Sequence, residues 1–211
     1  MIAVLAPGQG SQTPGMLAAW LELPGAAEQI AKWSEISGLD LAALGTTASA
    51  DEITDTAVTQ PLVVTATLLA NAELTNRGIL GGKTTVVAGH SVGEIAAYAI
   101  AGVISADDAV KLAAVRGAEM AKACAVEPTG MSAVLGGDEA EVLARLEALE
   151  LIPANRNAAG QIVAAGAVAA LEKLAEDPPP RRGCVNWPLP ARSTPTTWPP
   201  HWTGTPPRPP G

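Results

Sequence analysis

The sequence predicts a mixed α/β protein of one or two domains. A short apolar run at residues 2–6 fits a buried strand of a parallel sheet, and residues 83–88, which end in Val86-Val87-Ala88, fit a second strand. Each leads into a glycine-containing loop and a helical pattern. Strand-like and helical patterns alternate again after Pro128. With 211 residues, 48% of them apolar and 16% charged, the chain is long enough to bury a sizeable core.

The first strand is followed by a loop that contains Gly8-Gln9-Gly10. The glycines on either side of Gln9 allow the backbone to approach a ligand closely and present its N–H groups, and the Gln9 side chain can hold the loop in place. An ordinary strand-to-helix loop is the alternative. The loop lacks both the lysine of a phosphate-binding loop and the third glycine of a dinucleotide fingerprint.

Helical patterns fill the stretch between the two strands. Residues 15–44 are helical with breaks, and residues 51–55 form a short polar helix or turn. Pro61 suits the first position of a helix over residues 62–76, and Gly78 is placed to end it. Apolar residues of this helix recur at spacings that predict a stripe packed against a sheet: Leu62, Val63, Ala66, Leu69 and Ala70.

The second strand runs into Gly89-His90-Ser91-Val92-Gly93, and a helix begins near Val92. This pattern is typical of a nucleophile elbow, in which a strained turn residue is exposed between small neighbours. The Ser91 hydroxyl would lie at the positive end of the helix, where free backbone N–H groups stabilise a developing oxyanion. A glycine-rich turn without chemistry fits the motif equally well.

A further helix is predicted over residues 109–125, with Ser105 as its N-cap and Gly102 ending the helix before it. Arg116 lies beside the apolar stripe of this helix. An arginine in that position is usually solvated. The functional alternative is a fixed bidentate clamp for a carboxylate.

Residues 128–177 predict a small second domain. A strand at 131–135 and a helix at 138–150 are followed by a strand at 161–165 and a helix at 168–176, which suits a split βαβ arrangement. The predicted divisions are therefore a large domain over residues 1–127, a small domain over 128–177 and a tail over 178–211.

Composition excludes several classes of protein. The net charge of −8 opposes nonspecific binding to nucleic acids and anionic membranes, which are polyanions. The N-terminus has no basic flank and breaks too early for a signal peptide or membrane span. Cys124 and Cys184 are far apart and near no histidine, so neither a disulfide framework nor a metal site is expected. The cytoplasm is the expected location.

Several motifs together resemble the acyltransferase family of malonyl-CoA:acyl carrier protein transacylases. The resemblance covers about residues 1–177, and the motifs occur in the family's order and approximate spacing. They are Gly8-Gln9-Gly10-Ser11-Gln12, Thr59-Gln60-Pro61, Gly89-His90-Ser91-Val92-Gly93-Glu94, Arg116-Gly117 and Asn155-Arg156-Asn157-Ala158-Ala159-Gly160-Gln161-Ile162-Val163.

The resemblance implies an α/β-hydrolase-like large domain with a small ferredoxin-like domain, and transfer of a malonyl group in fatty-acid or polyketide biosynthesis. By resemblance, Ser91 takes the malonyl group from malonyl-CoA and passes it to the phosphopantetheine thiol of acyl carrier protein. The backbone N–H groups of Gln9 and Val92 would form the oxyanion hole. Arg116 would pair with the malonyl carboxylate, a contact that penalises acetyl-CoA.

His90 is also assigned to the substrate-binding side of the elbow, and its side chain is expected to point away from that of Ser91. The resemblance implies no cofactor and a monomer. Two other functions remain open. A carboxylesterase-type hydrolase shares the elbow but has no use for Arg116, and a noncatalytic remnant would bind acyl carrier protein or another partner.

The tail departs from the family, whose general base is a histidine in a Gly-Ala/Ser-Phe-His segment that this sequence lacks. Residues 178–211 hold 12 of the 18 prolines and no Asp or Glu, whereas residues 1–177 hold nine Lys and Arg against all 21 Asp and Glu. A proline-rich linker or partner-binding tail, predicted to be disordered, is the ordinary interpretation. The abrupt change also fits a shifted reading frame.

A shift of one base can recover the missing segment. With third bases chosen to suit, residues 183–198 back-translate to a sequence that, read from the third base of the Gly183 codon, encodes Val-Arg-Gln-Leu-Ala-Val-Ala-Gly-Ala-Phe-His-Thr-Asp-His-Met. A slip between about Glu176 and Gly183 would therefore have replaced the catalytic histidine and everything after it. A serine without its base is a poor nucleophile, so we expect little transacylase activity from the chain.

Overall fold

The computed structural model describes residues 1–80, 85–126, 129–177 and 184–187. These residues divide into two compact units, Met1–Thr129 and a second one that starts at Gly130. The first unit contains β1 (Ile2–Ala6), α1 (Ala26–Ser37), α2 (Leu41–Thr46), α3 (Ala50–Thr54), α4 (Thr56–Asn76), β2 (Thr85–Gly89), α5 (Gly93–Ile100) and α6 (Ala106–Val126). The second contains β3 (Thr129–Leu135), α7 (Glu139–Ala148), β4 (Ile152–Ala158), β5 (Gln161–Ala167), α8 (Val168–Glu176) and β6 (Cys184–Trp187). Within the described ranges, no helix has the length and apolar character needed to cross a membrane.

The two strands of the first unit are parallel, as predicted. Their register runs from Ile2 opposite Thr85 to Ala6 opposite Gly89. Both strands therefore end at the same edge, and the loops that follow them leave the sheet side by side. In open parallel sheets this carboxyl edge is where ligands bind.

The prediction that these strands are buried is wrong for one face of the sheet. The side chains of Leu5 and Val86 are 75% and 52% exposed. Helix α5 packs against both strands, so residues on the covered face alternate with residues that face outward. Strands that are apolar throughout are expected to be covered on both faces of the sheet. In the described residues, only one face is covered.

Helix α4 begins earlier than the sequence predicted. It starts at Thr56, with the Asp55 carboxylate accepting a hydrogen bond of 2.8 Å from the Ala57 N–H, and Pro61 lies inside it. The capping side chain satisfies the helix start ahead of the proline, which costs the helix one backbone hydrogen bond. Gly78 follows the helix with φ of +69°, as expected for a residue that ends it.

The apolar stripe predicted on α4 is a wider buried surface. All residues from 59 to 65 are buried, which means that this half of the helix is surrounded rather than amphipathic. Helix α6 packs along it, and α1, α2, α3 and α5 also contact it. The core of the first unit is centred here and includes Leu17, Ile30, Leu41, Leu62, Val64, Val92 and Val110.

Helix α6 starts at Ala106, directly after the predicted N-cap Ser105. The Ser105 hydroxyl accepts a hydrogen bond of 3.0 Å from the Asp108 N–H. In the first turn, Asp107 accepts hydrogen bonds from Lys32 Nζ and from Trp33 Nε1, the latter at 3.0 Å. These two hydrogen bonds join α1 to α6.

Asp107→Asn should weaken the first unit slightly and remove part of its acid sensitivity. The hydrogen bond from Lys32, followed by that from Trp33, lowers the pKa of Asp107 below its ordinary value, against the raising effect of burial. A lowered pKa stabilises the fold above the unfolded-state pKa of about 3.9 and loses this effect as pH falls through the folded-state value. Both partners are well exposed, so the loss at pH 7 is at most about 1 kcal/mol. Urea unfolding at pH 7 and pH 3 measures it, and an equal loss at both pH values contradicts the assignment.

The second unit contains a strand that the sequence analysis missed. Residues 152–158 form β4, which pairs antiparallel with β5, and the sheet order is β4-β5-β3-β6. Pro153 and two irregularities in the β4–β5 register hide the alternation by which strands are predicted. Predicted helices 138–150 and 168–176 are present as α7 and α8. Their apolar faces meet β3 in a core that includes Val134, Val142, Leu146, Leu171 and Leu174.

Four residues of the tail differ from the predicted disorder. Cys184–Trp187 forms β6, antiparallel to β3 with Met131 opposite Trp187. The edge of β3 offers unpaired backbone donors and acceptors, which a short extended segment can satisfy. The rest of the tail, including His201, lies outside the described residues, as do Lys83 and Thr84 of the predicted second strand.

Candidate active site

Ser91 occupies the strained turn that the elbow motif predicts. Its φ is +53°, in the left-handed region that residues with a side chain rarely adopt. The turn is tight on both sides. A Cβ atom on Gly89 would lie 2.3 Å from the Gly93 carbonyl carbon, and one on Gly93 would lie 2.3 Å from the Ala6 carbonyl oxygen. A larger residue at Gly93 would push the elbow away from the end of β1, and one at Gly89 would clash with the backbone that begins α5.

The loop after β1 packs directly against the elbow. The His90 N–H donates a hydrogen bond of 3.1 Å to the Ala6 carbonyl. A Cβ atom on Gly8 would lie 2.8 Å from the His90 carbonyl oxygen and 2.9 Å from its Nδ1. The backbone that carries Gln9 is thus brought next to the backbone that carries Ser91 and Val92.

The N–H groups of the two predicted oxyanion donors have no partner among the described residues. Neither the Gln9 nor the Val92 backbone nitrogen donates a hydrogen bond to any of them. The Gln9 side chain donates from Nε2 to the Thr56 hydroxyl at 3.2 Å, so it ties the loop to the first turn of α4 as expected. Val92 is fully buried, which anchors the start of α5 beneath the exposed Ser91.

Arg116 reaches the elbow from α6. A Cβ atom on the next residue, Gly117, would lie 2.7 Å from the Thr56 carbonyl oxygen, so α6 approaches the start of α4 more closely than a larger residue allows. One terminal nitrogen of Arg116 donates to Gln60 Oε1 at 2.6 Å, and the other donates to Ser91 Oγ at 3.2 Å. Arg116 is therefore partly buried and bonded to two side chains, and its guanidinium lies beside the candidate nucleophile.

Gln60 belongs to the Thr59-Gln60-Pro61 motif, from which no role for it could be predicted. It is 1% exposed, accepts from Arg116 and donates from Nε2 toward Met120 Sδ at 3.2 Å. A glutamine within an apolar helical run is the signal that could have revealed it, because a buried amide requires partners.

No base accompanies Ser91 in the described part of the chain. Its hydroxyl contacts the Arg116 guanidinium, which carries only donors and cannot take up a proton. The His90 ring packs against Gly8, and no hydrogen bond joins it to Ser91 within these residues. The site therefore presents a nucleophile, a cation and two free N–H groups.

A separate cavity of about 360 Å³ lies within the second unit, between the β3–α7 and β4–β5 loops. Its charged residues, Arg156 and Glu139, pair with each other at 3.0 Å. It therefore offers no unpaired charge to a ligand from the residues that line it. In the described ranges, no three His, Cys, Asp or Glu side chains come together as a metal site would require.

Comparison with known proteins agrees with the motifs. Residues 4–182 match the family described as "Acyl transferase domain". A malonyl CoA-acyl carrier protein transacylase of Mycobacterium bovis is 78% identical over 179 residues, which is 85% of this chain and 59% of the relative. The chain thus spans about 59% of the length of this curated relative.

Solved structures of such enzymes have the same fold. The crystal structure of MCAT from Mycobacterium tuberculosis superposes with a TM-score of 0.87 at 73% identity, over 92% of this chain and 64% of that one. A malonyl-transacylase in complex with its type II PKS acyl-carrier protein gives a TM-score of 0.78 at 29% identity, over 88% and 62% of the two chains. With the family match covering most of its length, the chain belongs to the acyl transferase domain family.

Proposed function

We propose that this chain transfers a malonyl group from malonyl-CoA to the phosphopantetheine thiol of acyl carrier protein through an acyl-serine intermediate. The observation that carries the proposal is the contact of 3.2 Å between the Arg116 guanidinium and Ser91 Oγ. It places a group that recognises carboxylates beside a group that accepts acyl chains. The curated relative named above is a malonyl CoA-acyl carrier protein transacylase, which supports the same substrate and partner.

In the first half-reaction, Ser91 Oγ attacks the thioester carbonyl of malonyl-CoA. The Gln9 and Val92 N–H groups would receive the oxyanion, and Arg116 would bind the free carboxylate. Collapse of the tetrahedral intermediate breaks the carbon–sulfur bond, and the coenzyme A sulfur leaves with the proton that Ser91 lost. In the second half-reaction the carrier thiol attacks the ester carbonyl, the bond between the acyl carbon and Ser91 Oγ breaks, and the proton of the carrier thiol passes to Oγ.

The described residues do not provide for removal of the Ser91 proton. General acid–base catalysis contributes about 10²–10⁴-fold to such reactions, and no described residue accepts the Ser91 proton. We therefore propose that the chain loads malonyl groups slowly. A carboxylesterase remains the second candidate, but nothing in uncharged ester hydrolysis uses a guanidinium held at the nucleophile.

We also propose a fold type for each of the two units. The parallel β1–β2 pair, the elbow and α5 support an α/β-hydrolase-like first unit. The order β-α-β-β-α-β with a β4-β5-β3-β6 sheet supports a ferredoxin-like second unit. For assembly, location and pathway we propose a cytoplasmic monomer of fatty-acid or polyketide synthesis, as the family resemblance implies.

Incubation of the purified chain with malonyl-CoA should give one malonyl ester per chain, mapped to Ser91 by peptide mass spectrometry. Ser91→Ala should give none, and acetyl-CoA should load far more slowly because it leaves the guanidinium unpaired. A chain that loads acetyl at the malonyl rate supports the esterase candidate. No ester at Ser91 after prolonged incubation contradicts both enzymes.

A further inference from the structure

We propose that Gln60 is the positioning residue of Arg116, and that its neutral amide preserves the guanidinium charge for the carboxylate of the acyl group. This inference rests on the proposed function and assigns a specificity role to a residue that touches neither nucleophile nor substrate. It follows from three features of the contact: its burial, its orientation and its lack of charge.

The burial of Gln60 gives its contact with Arg116 a fixed geometry. The side chain is 1% exposed, in a stretch of α4 where every neighbour from Thr59 to Thr65 is buried. The bond of 2.6 Å from Arg116 to Oε1 is short for a nitrogen donor, as expected of a charge-assisted hydrogen bond. A buried amide oxygen without this donor would be left unsatisfied, so the contact is costly to break.

Neighbouring groups fix which end of the amide faces Arg116. The Gln60 nitrogen lies 3.2 Å from Met120 Sδ, a weak acceptor that has no hydrogen to donate. Reversing the amide would set its NH₂ group against the guanidinium, where both sides are donors. Oε1 therefore points to Arg116, and Met120, one helical turn after Arg116, holds the other end.

The arginine has donors to spare. A guanidinium carries five N–H groups, and the described contacts use one on Gln60 and one on Ser91. The rest remain for a substrate carboxylate. The fork is thus held from the Gln60 side while its remaining donors stay free near the Ser91 hydroxyl.

Charge distinguishes Gln60 from an equally well-shaped glutamate. A carboxylate at this position would accept the same hydrogen bond and would also neutralise Arg116. The guanidinium would then keep its place but attract a malonyl carboxylate less strongly. If Gln60 only filled the core, replacing it by glutamate would not weaken carboxylate binding while leaving Arg116 in place.

Two variants separate these effects in the full chain. Gln60→Glu keeps the acceptor and adds charge, whereas Gln60→Met keeps the approximate volume and removes the acceptor. Gln29→Glu, on the partly exposed side of α1, adds the same charge elsewhere and serves as the matched control. Isothermal titration gives the Kd of malonyl-CoA and of acetyl-CoA for each chain. Guanidinium ¹H–¹⁵N NMR, with the Arg116 signals assigned from Arg116→Lys, reports whether the side chain is held.

For Gln60→Glu we expect the preference for malonyl-CoA over acetyl-CoA to fall by about tenfold or more, since hydrogen bonds to charged groups are worth this much. The Arg116 signals should stay protected from exchange. In Gln60→Met those signals should lose protection, and in Gln29→Glu neither property should change.

Unchanged preference in Gln60→Glu, or unchanged protection in Gln60→Met, overturns the role of Gln60. The proposed function fails separately, when the unaltered chain shows no preference for malonyl-CoA. In that case the proposal that Gln60 preserves the charge of Arg116 for a carboxylate fails as well. The exchange protection of the Arg116 signals then decides by itself whether Gln60 holds Arg116 in place.

Discussion

Inserting one base between the codons of Glu176 and Gly183 should raise malonyl transfer by about 10²–10⁴-fold, the usual contribution of a general base. If the reading-frame hypothesis is right, the insertion restores a frame that encodes Gly-Ala-Phe-His-Thr, and the histidine of this segment would accept the Ser91 proton. Two observations favour a slip here. Acidic residues end and prolines accumulate from Pro178, and the family match ends at residue 182. Transfer to acyl carrier protein, followed with radiolabelled malonyl-CoA, measures the gain.

The decisive control is the repaired chain with the histidine of that segment changed to alanine. It has the same length and the same closing elements, so it separates the effect of the base from any gain in folding. Transfer should return to the level of the chain as given. A repaired chain that stays inactive, or a coding sequence whose shifted frame lacks the histidine segment, contradicts the reading-frame hypothesis.

Local signals were sufficient for the elements around the elbow. The strand, the turn and the helix that follow one another through Ser91 are short-range features, and the steric demands on Gly89 and Gly93 are set by the turn itself. Caps at Ser105 and Asp138 likewise depend on neighbours three residues away. Such features are encoded where they occur, and the structure contains each of them.

Errors arose where tertiary packing outweighed the local pattern. Pro61 was predicted at a helix start, yet the cap at Asp55 and the surrounding core extend α4 through it. The irregular register of β4 removed the alternation that marks a strand. Burial of both faces of β1 and β2 was inferred from apolar composition, which cannot tell how many layers pack on a sheet.

The site divides in the same way. Ser91, Gln9 and Val92 could be proposed from motifs, because the elbow and the loop beside it are built from consecutive residues. The Arg116–Gln60 contact joins residues 56 apart in the chain and depends on how closely α6 approaches α4 at Gly117. Spacing within one helix carries no information about that approach. For this reason the helical pattern alone favoured a solvated arginine, and only the family resemblance assigned Arg116 to the malonyl carboxylate. Neither of them predicted a role for Gln60.

Arg116→Ala should reduce malonyl loading of Ser91 by about 10²-fold, because a bidentate carboxylate pair makes two charged hydrogen bonds of about 1.5–3 kcal/mol each in a favourable setting. Acetyl loading should change much less, since acetyl has no carboxylate to lose and no longer leaves a guanidinium unpaired. The ratio of the two initial rates, measured by mass spectrometry of the Ser91 peptide, should therefore fall toward one.

The ratio is the informative quantity because Arg116 also contacts the nucleophile. Removing its bond of 3.2 Å to Ser91 Oγ alters loading by either thioester, and this common effect cancels when one rate is divided by the other. Arg116→Lys retains a positive charge without the planar fork, so a ratio between those of Arg116→Ala and the unaltered chain indicates that charge and geometry both contribute. A ratio unchanged in Arg116→Ala would show that the carboxylate is recognised elsewhere. Such a result would leave Ser91 as a nucleophile without a known acyl preference.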